Sequence, residues 1–117
     1  LGGIYENVVA QQLAAQNRQL YYYQTKKRGE VDFVVDGPDG TAVPIEVKSG
    51  SYYHAHAALG HVLDTAEYGV RLGIVFSRGN VERNGAVLYL PLYATWGLSD
   101  VLGDSCAEGI KLEVKPV

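Results

Sequence analysis

The spacing of apolar residues predicts that the chain opens with a helix over residues 3–16. At roughly 100° per residue, its apolar side chains form one wide arc, with Asn7 and Gln11 on the opposite side. The members of the arc are Ile4, Tyr5, Val8, Val9 and Leu13. Glu6 falls inside this arc, close to Val9, so the pattern places a carboxylate on the face that should meet the core.

Three strands are predicted next. Residues 20–23, 31–35 and 42–48 are short runs rich in β-branched or aromatic side chains, which are typical of strands. Turn-forming segments rich in Gly, Pro, Asp or Lys separate them at residues 26–29 and 36–40. Three consecutive strands are the simplest interpretation of this stretch.

The second half of the chain returns to helical spacing over residues 57–66 and then has an apolar run at 70–76 that is short enough for a buried strand. Residues 87–90 predict a further strand and residues 93–102 a short closing helix. Alternation over 110–114 predicts an extra C-terminal strand, at a sheet edge or against a partner chain. The order α-β-β-β-α-β predicts an α/β fold with a mixed central sheet flanked by helices.

Composition narrows the class of protein. The chain has 117 residues, 47% of them hydrophobic, and this size predicts one domain over residues 1–117. Cys106 is the only cysteine, which excludes an internal disulfide and a cysteine-rich zinc module and indicates a cytoplasmic setting. No apolar run is long enough to span a bilayer, so no membrane association is expected. Since the sequence has no methionine, we expect it to be a piece of a longer chain.

The net charge of -3 means that any contact with nucleic acid must be local. Lys26, Lys27 and Arg28 are candidates for binding substrate phosphates, and a solvated turn is the alternative. Tyrosines at 21–23 and 52–53 offer stacking surfaces for unpaired bases, or simply pack within the fold.

Carboxylates interrupt the second and third predicted strands. Side chains of equal parity share a strand face, and an antiparallel pairing with an even residue sum would place Asp32, Glu46 and Lys48 on one face of the sheet. Two carboxylates that close repel each other, and burial raises the cost of ionising both. Either a divalent cation or Lys48 must compensate.

Magnesium suits this arrangement because it takes oxygen ligands, commonly one or two carboxylates together with waters and substrate phosphates. Asp32 and Glu46 supply the carboxylates, and the backbone carbonyl of Val47 is a candidate third oxygen. Lys48 would then hold an attacking water or stabilise charge that develops on phosphorus. The sequence has no Gly-Lys-Ser/Thr phosphate loop, so no nucleotide site is expected in this chain.

Four segments together resemble a known family. Leu-Gly-Gly-Ile-Tyr-Glu-Asn at residues 1–7, Gly-Glu-Val-Asp-Phe at 29–33, Ile-Glu-Val-Lys-Ser-Gly at 45–50 and Leu-Pro-Leu-Tyr at 90–93 resemble a domain family found at the C-terminus of bacterial and archaeal AAA+ ATPases. Their acidic residues and lysine also resemble the PD-(D/E)XK nuclease signature of the restriction-endonuclease-like fold. The resemblance covers roughly residues 1–96 and leaves 97–117 as a C-terminal extension.

The nuclease resemblance implies Asp32 and Glu46 as ligands of Mg²⁺ or Mn²⁺, Lys48 as the catalytic lysine and Glu6 as an auxiliary acid. It implies phosphodiester hydrolysis of nucleic acid, with DNA preferred over RNA. The family resemblance implies an N-terminal ATPase domain of the same protein as a partner, with a homo-oligomer as a further possibility. The alternative is a catalytically silent nuclease-like module that serves protein interaction or regulates the ATPase. Its acids would then form a structural ion-pair cluster.

Overall fold

The computed structural model describes residues 2–16, 18–25, 29–37, 40–98, 102 and 115–116. The helices are α1 (Gly2–Ala15) and α2 (Ala57–Asp64), with short 3₁₀ helices at Ala66–Tyr68 and Leu92–Gly97. The strands are β1 (Tyr21–Thr25), β2 (Gly29–Asp36), β3 (Ala42–Val47), β4 (Gly73–Ser77), β5 (Glu82–Asn84), β6 (Val87–Pro91) and β7 (Lys115–Pro116). The predicted α-β-β-β-α-β order is therefore confirmed.

The strands form one mixed sheet in the order β5-β6-β4-β3-β2-β1-β7. The antiparallel pairs are β1 with β2, β2 with β3, β5 with β6 and β1 with β7. The pairs β3 with β4 and β4 with β6 are parallel. The α/β class with a mixed central sheet flanked by two helices is confirmed.

Both faces of the sheet are covered by apolar side chains. On one face, Val9 and Leu13 of α1 pack with side chains from the central strands and with Leu98 and Leu102. On the other face, Ala58, Leu59 and Val62 of α2 pack against β2, β4 and β6. Burial on both sides explains why β3 and β4 read as nearly continuous apolar runs.

Helix α1 buries less of its apolar arc than the sequence predicts. Val9 and Leu13 are fully buried, whereas 63% of Ile4 and 45% of Val8 is exposed. The arc is wider than the strip that one sheet face covers, and the side chains at its margin face outwards. The burial of a helix side chain depends on what packs against it, which helical periodicity alone does not specify.

A bulge in β2 breaks the predicted alternation of side chains. Tyr21 pairs with Val34 but Tyr23 pairs with Val31, so three steps on β2 oppose two on β1. As a result, Val31 packs with Val34 on the α2 face, while Phe33 packs on the α1 face. Regular alternation would place Val31 and Phe33 on one face of the strand, and they lie on opposite faces because the extra residue inverts the parity on one side of the bulge.

Other differences lie in the second half of the chain. The sequence pattern did not predict β5, whose three residues are polar and exposed at the sheet edge. The predicted closing helix at 93–102 is represented by the 3₁₀ helix Leu92–Gly97. The predicted strand at 110–114 lies outside the described residues, and Lys115–Pro116 pairs with β1. Among the described helices, none has the length and apolar character needed to cross a membrane.

Two alanine substitutions in α1 test which of its sides is buried. We expect Leu13→Ala to lower the free energy of unfolding by about 2–5 kcal/mol, because it removes a fully buried side chain from the core. Ile4→Ala, on the exposed part of the same apolar arc, should change it by less than about 0.5 kcal/mol. Urea denaturation of both variants measures the difference. Equal losses would mean that the whole arc is buried.

Candidate functional site

The centre of the site is a fork between β2 and β3. The two strands pair from Phe33 with Ile45 to Asp36 with Ala42. Beyond Phe33, the rest of β2 pairs with β1, while Glu46 and Val47 of β3 stay paired with β4. The divergence leaves the backbone of Val47 facing the gap on the β2 side.

The carboxylate of Asp32 occupies this gap. The backbone N–H of Val47 donates a hydrogen bond of 2.7 Å to Asp32 Oδ2. Backbone N–H groups of a strand point sideways within the plane of its sheet, so the acceptor lies between the two strands. The β2 bulge makes this placement possible, because it turns Asp32 out of the regular alternation that the sequence predicts.

Glu46 and Lys48 reach the fork from β3 and the loop that follows it. Ile45 and Val47 pack in the core on the α1 face, so alternation along β3 points Glu46 towards the other face. The Glu46 side chain is 6% exposed, and its Oε2 lies 3.2 Å from Lys48 Nζ. The lysine side chain is one-third exposed at 33%, so the pair links a buried carboxylate to the surface.

Glu6 approaches from the opposite side, on α1. An open pocket of 260 Å³ lies beside the fork, and it is lined by Glu6, Tyr22, Glu30, Val31, Asp32 and Phe33. Neither Glu30 nor Tyr22 is among the metal ligands or catalytic residues that the sequence predicts. Gln24 pairs with Glu30 in the bulged β1–β2 ladder, and Tyr22 lies two residues before Gln24 on β1, so this ladder brings Tyr22 and Glu30 to the pocket. A β-bulge leaves no characteristic pattern of apolar residues in the sequence, so the sequence did not indicate that these two residues lie at the pocket.

The pKa of Asp32 is raised from its ordinary value of 3.8 to about 6. Desolvation by burial is the largest cause, and the charges of Glu6 and Glu46 add to it. The hydrogen bond from Val47 and the ammonium group of Lys48 act in the opposite direction. Glu6, Glu46 and Lys48 therefore all lie within electrostatic reach of Asp32.

These side chains do not converge on one point. Within the described residues, no group of three or more His, Cys, Asp or Glu side chains is arranged to hold a metal ion. Glu6 and Glu46 reach Asp32 from opposite faces of the sheet, which separates them. The sequence predicts that Asp32, Glu46 and Lys48 share one face of the sheet. In the structure, Asp32 lies in the gap between β2 and β3, and the site spans this gap. Lys26, Lys27 and Arg28 lie outside the described residues.

The raised pKa of Asp32 predicts a pH-dependent gain of stability in Asp32→Asn. The folded wild type binds more protons than the unfolded chain between pH values of about 4 and 6, so its unfolding free energy falls as pH rises through that window. We expect Asp32→Asn to be more stable than the wild type by roughly 1 kcal/mol at neutral pH, allowing for solvent screening. Its amide oxygen can still accept the Val47 hydrogen bond.

Denaturation of both proteins across this pH range measures the effect, and the difference should disappear below a pH of about 4. Glu67→Gln, which removes an exposed carboxylate away from the fork, is the control and should not show this pH dependence. A difference between wild type and Asp32→Asn that stays constant with pH would contradict the electrostatic explanation.

A comparison with known protein families matches the part of the chain that contains the four sequence segments. Residues 1–94 match the model of a family described as a domain of unknown function, DUF4143, and this range contains all four segments. No curated protein and no solved structure matches the chain. Because the family model covers most of the sequence, the chain belongs to the DUF4143 family.

Proposed function

We propose that this domain hydrolyses phosphodiester bonds of nucleic acid, preferably DNA, with the help of Mg²⁺ or Mn²⁺. The observation that carries the proposal is the position of Asp32. Its carboxylate is held in the β2–β3 fork by the Val47 amide, and the charges of Glu6, Glu46 and Lys48 act on it. Acidic groups beside one lysine, two of which line an open pocket, suit a reaction at a phosphate.

The donor set fits magnesium. All the candidate ligands are oxygen atoms, and Mg²⁺ needs only one or two protein carboxylates because waters and substrate phosphates complete its shell. Burial is the main cause of the raised pKa of Asp32, and the charges of Glu6 and Glu46 add to it; a bound cation would stabilise the ionised carboxylate against both effects. Asp32 and Glu46 would hold the ion, with the Val47 carbonyl as a third oxygen. When bound, it would polarise the phosphate and lower the pKa of a water molecule.

The side chains of the chain itself have distinct tasks in this proposal. Lys48, anchored by Glu46, presents its ammonium group to the negative charge that develops on the phosphate oxygens. Glu6 receives or orients the attacking water from the α1 side of the fork. Hydrolysis forms a P–O bond to the oxygen of a water molecule, one proton of which passes to a carboxylate. It breaks the P–O bond to the sugar oxygen, which leaves with the electron pair and takes up a proton from solvent.

Partner domains follow from the family. Members of this family are associated with the C-terminal regions of AAA ATPases. We therefore propose that an ATPase domain of the same protein acts as motor or switch for the nuclease-like domain, in a homo-oligomer. Nucleotide hydrolysis would occur in that domain.

A second candidate function is a catalytically silent interaction module. Two observations favour it: Glu46 is already paired with Lys48, and Asp32 already accepts a hydrogen bond from Val47. Acids that are satisfied within the fold can persist as structural groups without binding a metal. The two experiments below separate this candidate from the nuclease.

Metal titration is the first test. Mn²⁺ should raise the unfolding free energy of the wild type by about 2.7 kcal/mol at a hundredfold excess over Kd, because it binds only the folded state. We expect this gain to be lost in Asp32→Ala and in Glu46→Ala, and to persist in Glu67→Ala. Thermal denaturation with and without Mn²⁺ measures it. Equal gains in all four proteins would place the ion elsewhere, and no gain in any would favour the silent module.

A second test separates catalysis from metal binding. Lys48→Gln removes the charge but keeps a donor that can reach Glu46, so the fold and the Mn²⁺ response should survive. Cleavage of a labelled single-stranded or duplex DNA should fall by about 100-fold or more. Joint loss of cleavage and of the Mn²⁺ response would mean that Lys48 is a structural partner of the acids. Unchanged cleavage would remove Lys48 from the mechanism.

A further inference from the structure

Two loops leave the sheet side by side next to the fork. Strands β3 and β4 are parallel, so the loops at residues 48–56 and 78–81 start from the same edge. They also touch each other. A Cβ atom added to Gly79 would lie 2.6 Å from the hydroxyl oxygen of Tyr53, which shows how closely the first loop packs on the second. The two loops therefore form one continuous surface.

The far end of the first loop is held by side-chain contacts. His56 Nε2 is hydrogen bonded to the hydroxyl of the buried Tyr89 at 2.7 Å. His54 Nε2 lies 3.1 Å from Glu82 Oε1 on the edge strand β5. The rings of Tyr53 and His54 pack against each other with their centroids 4.2 Å apart and their planes tilted by 33°. A loop fixed at this end can present a neighbouring side chain in a defined position.

Tyr52 is the side chain so presented. It is 87% exposed, although the N–H of Ala55 donates to its carbonyl and closes a turn around it. Its preceding neighbours Gly50 and Ser51 are small and exposed, and Tyr53, which follows it, packs inwards against Tyr89. An isolated aromatic ring on a fixed turn is suited to stacking rather than to protein docking.

Each of the two loops begins with a basic residue. Lys48 begins the first loop, and Arg78 begins the second directly after β4. Arg78 is exposed, and no hydrogen bond or ion pair involves its side chain among the residues that the structure describes. At 3.8 Å per residue, Tyr52 lies at most roughly 15 Å from Lys48 between Cα atoms. That span corresponds to a few nucleotides of an extended strand.

We infer that this surface, formed by Lys48, Tyr52 and Arg78, binds an unpaired nucleic-acid strand and leads it to the fork. The basic side chains contact the phosphates, and a base stacks on Tyr52. In a duplex, the faces of the bases are covered by their neighbours, so only an unpaired strand offers a base to this ring. The inference rests on the proposed function and specifies its substrate class.

The test measures binding separately from cleavage. Fluorescence anisotropy of a labelled oligothymidylate of about 12 nucleotides, recorded in EDTA, reports affinity without turnover. Tyr52→Ala should weaken binding by roughly 5- to 100-fold, and Tyr52→Phe should restore it because the ring is retained. Tyr93→Ala is the matched control. Tyr93 is 78% exposed but lies in the 3₁₀ helix that packs on the α1 face, and its loss should not change affinity.

Two arginine variants, one on each side of β4, test how much positive charge contributes to binding. Arg78→Ala removes a cation that follows β4. Arg71→Ala removes a cation that precedes β4, at the opposite end of this strand. Arg78→Ala should reduce the slope of log Kd against log salt by about 0.7, the value for one phosphate contact on a single strand. Arg71→Ala should leave the slope unchanged.

Three results would overturn the inference: no binding of oligothymidylate by the wild type, equal affinity of the Tyr52→Ala and Tyr93→Ala variants, or tighter binding of a blunt duplex of the same length. Each leaves the proposed hydrolysis open to its own tests, because metal-dependent cleavage of duplex DNA would survive. Conversely, Tyr52-dependent binding without cleavage in Mn²⁺ would support this surface and refute the nuclease activity. An oligouridylate of the same length distinguishes RNA from DNA as the strand.

Discussion

The hydrogen bond between the Val47 amide and the Asp32 carboxylate is the interaction on which the candidate site depends. Where β2 leaves β3, the Val47 N–H loses a partner in the sheet ladder, and a buried donor without an acceptor is costly. Asp32 supplies the acceptor. Burial of the carboxylate at this position, beside two other acids, raises its pKa to about 6, although the hydrogen bond itself acts to lower the pKa. The acceptor that satisfies the Val47 N–H is therefore a carboxylate whose ionised form is electrostatically unfavourable.

The protein offsets only part of the electrostatic cost of ionising Asp32. Lys48 offsets some of the negative charge, but its closest contact is with Glu46 rather than Asp32. A stable fold tolerates such a cost where function requires it, and otherwise a neutral side chain would serve the Val47 amide equally well. In the proposed function, this charge acts towards a cation or towards a substrate phosphate that arrives with one.

The surroundings of the fork are rigid for ordinary reasons of packing. Strands β3 and β4 are covered on both faces by helices and are hydrogen bonded on both edges, so the loops that follow them start from fixed points. Binding groups at the ends of buried parallel strands are therefore held in defined positions. The loop that carries Tyr52 is additionally tied to β5 and β6 through His54 and His56.

The sequence by itself determined the order of elements and the identity of the acids and the lysine. Periodicity reports local burial, and Glu6, Asp32, Glu46 and Lys48 stood out because they interrupt it. Only the tertiary structure decided how these groups meet. The β2 bulge, the fork, the edge strand β5 and the approach of Tyr22 and Glu30 to the pocket arise from pairing between distant segments. Strand register depends on those partners, and no pattern within a single segment encodes it.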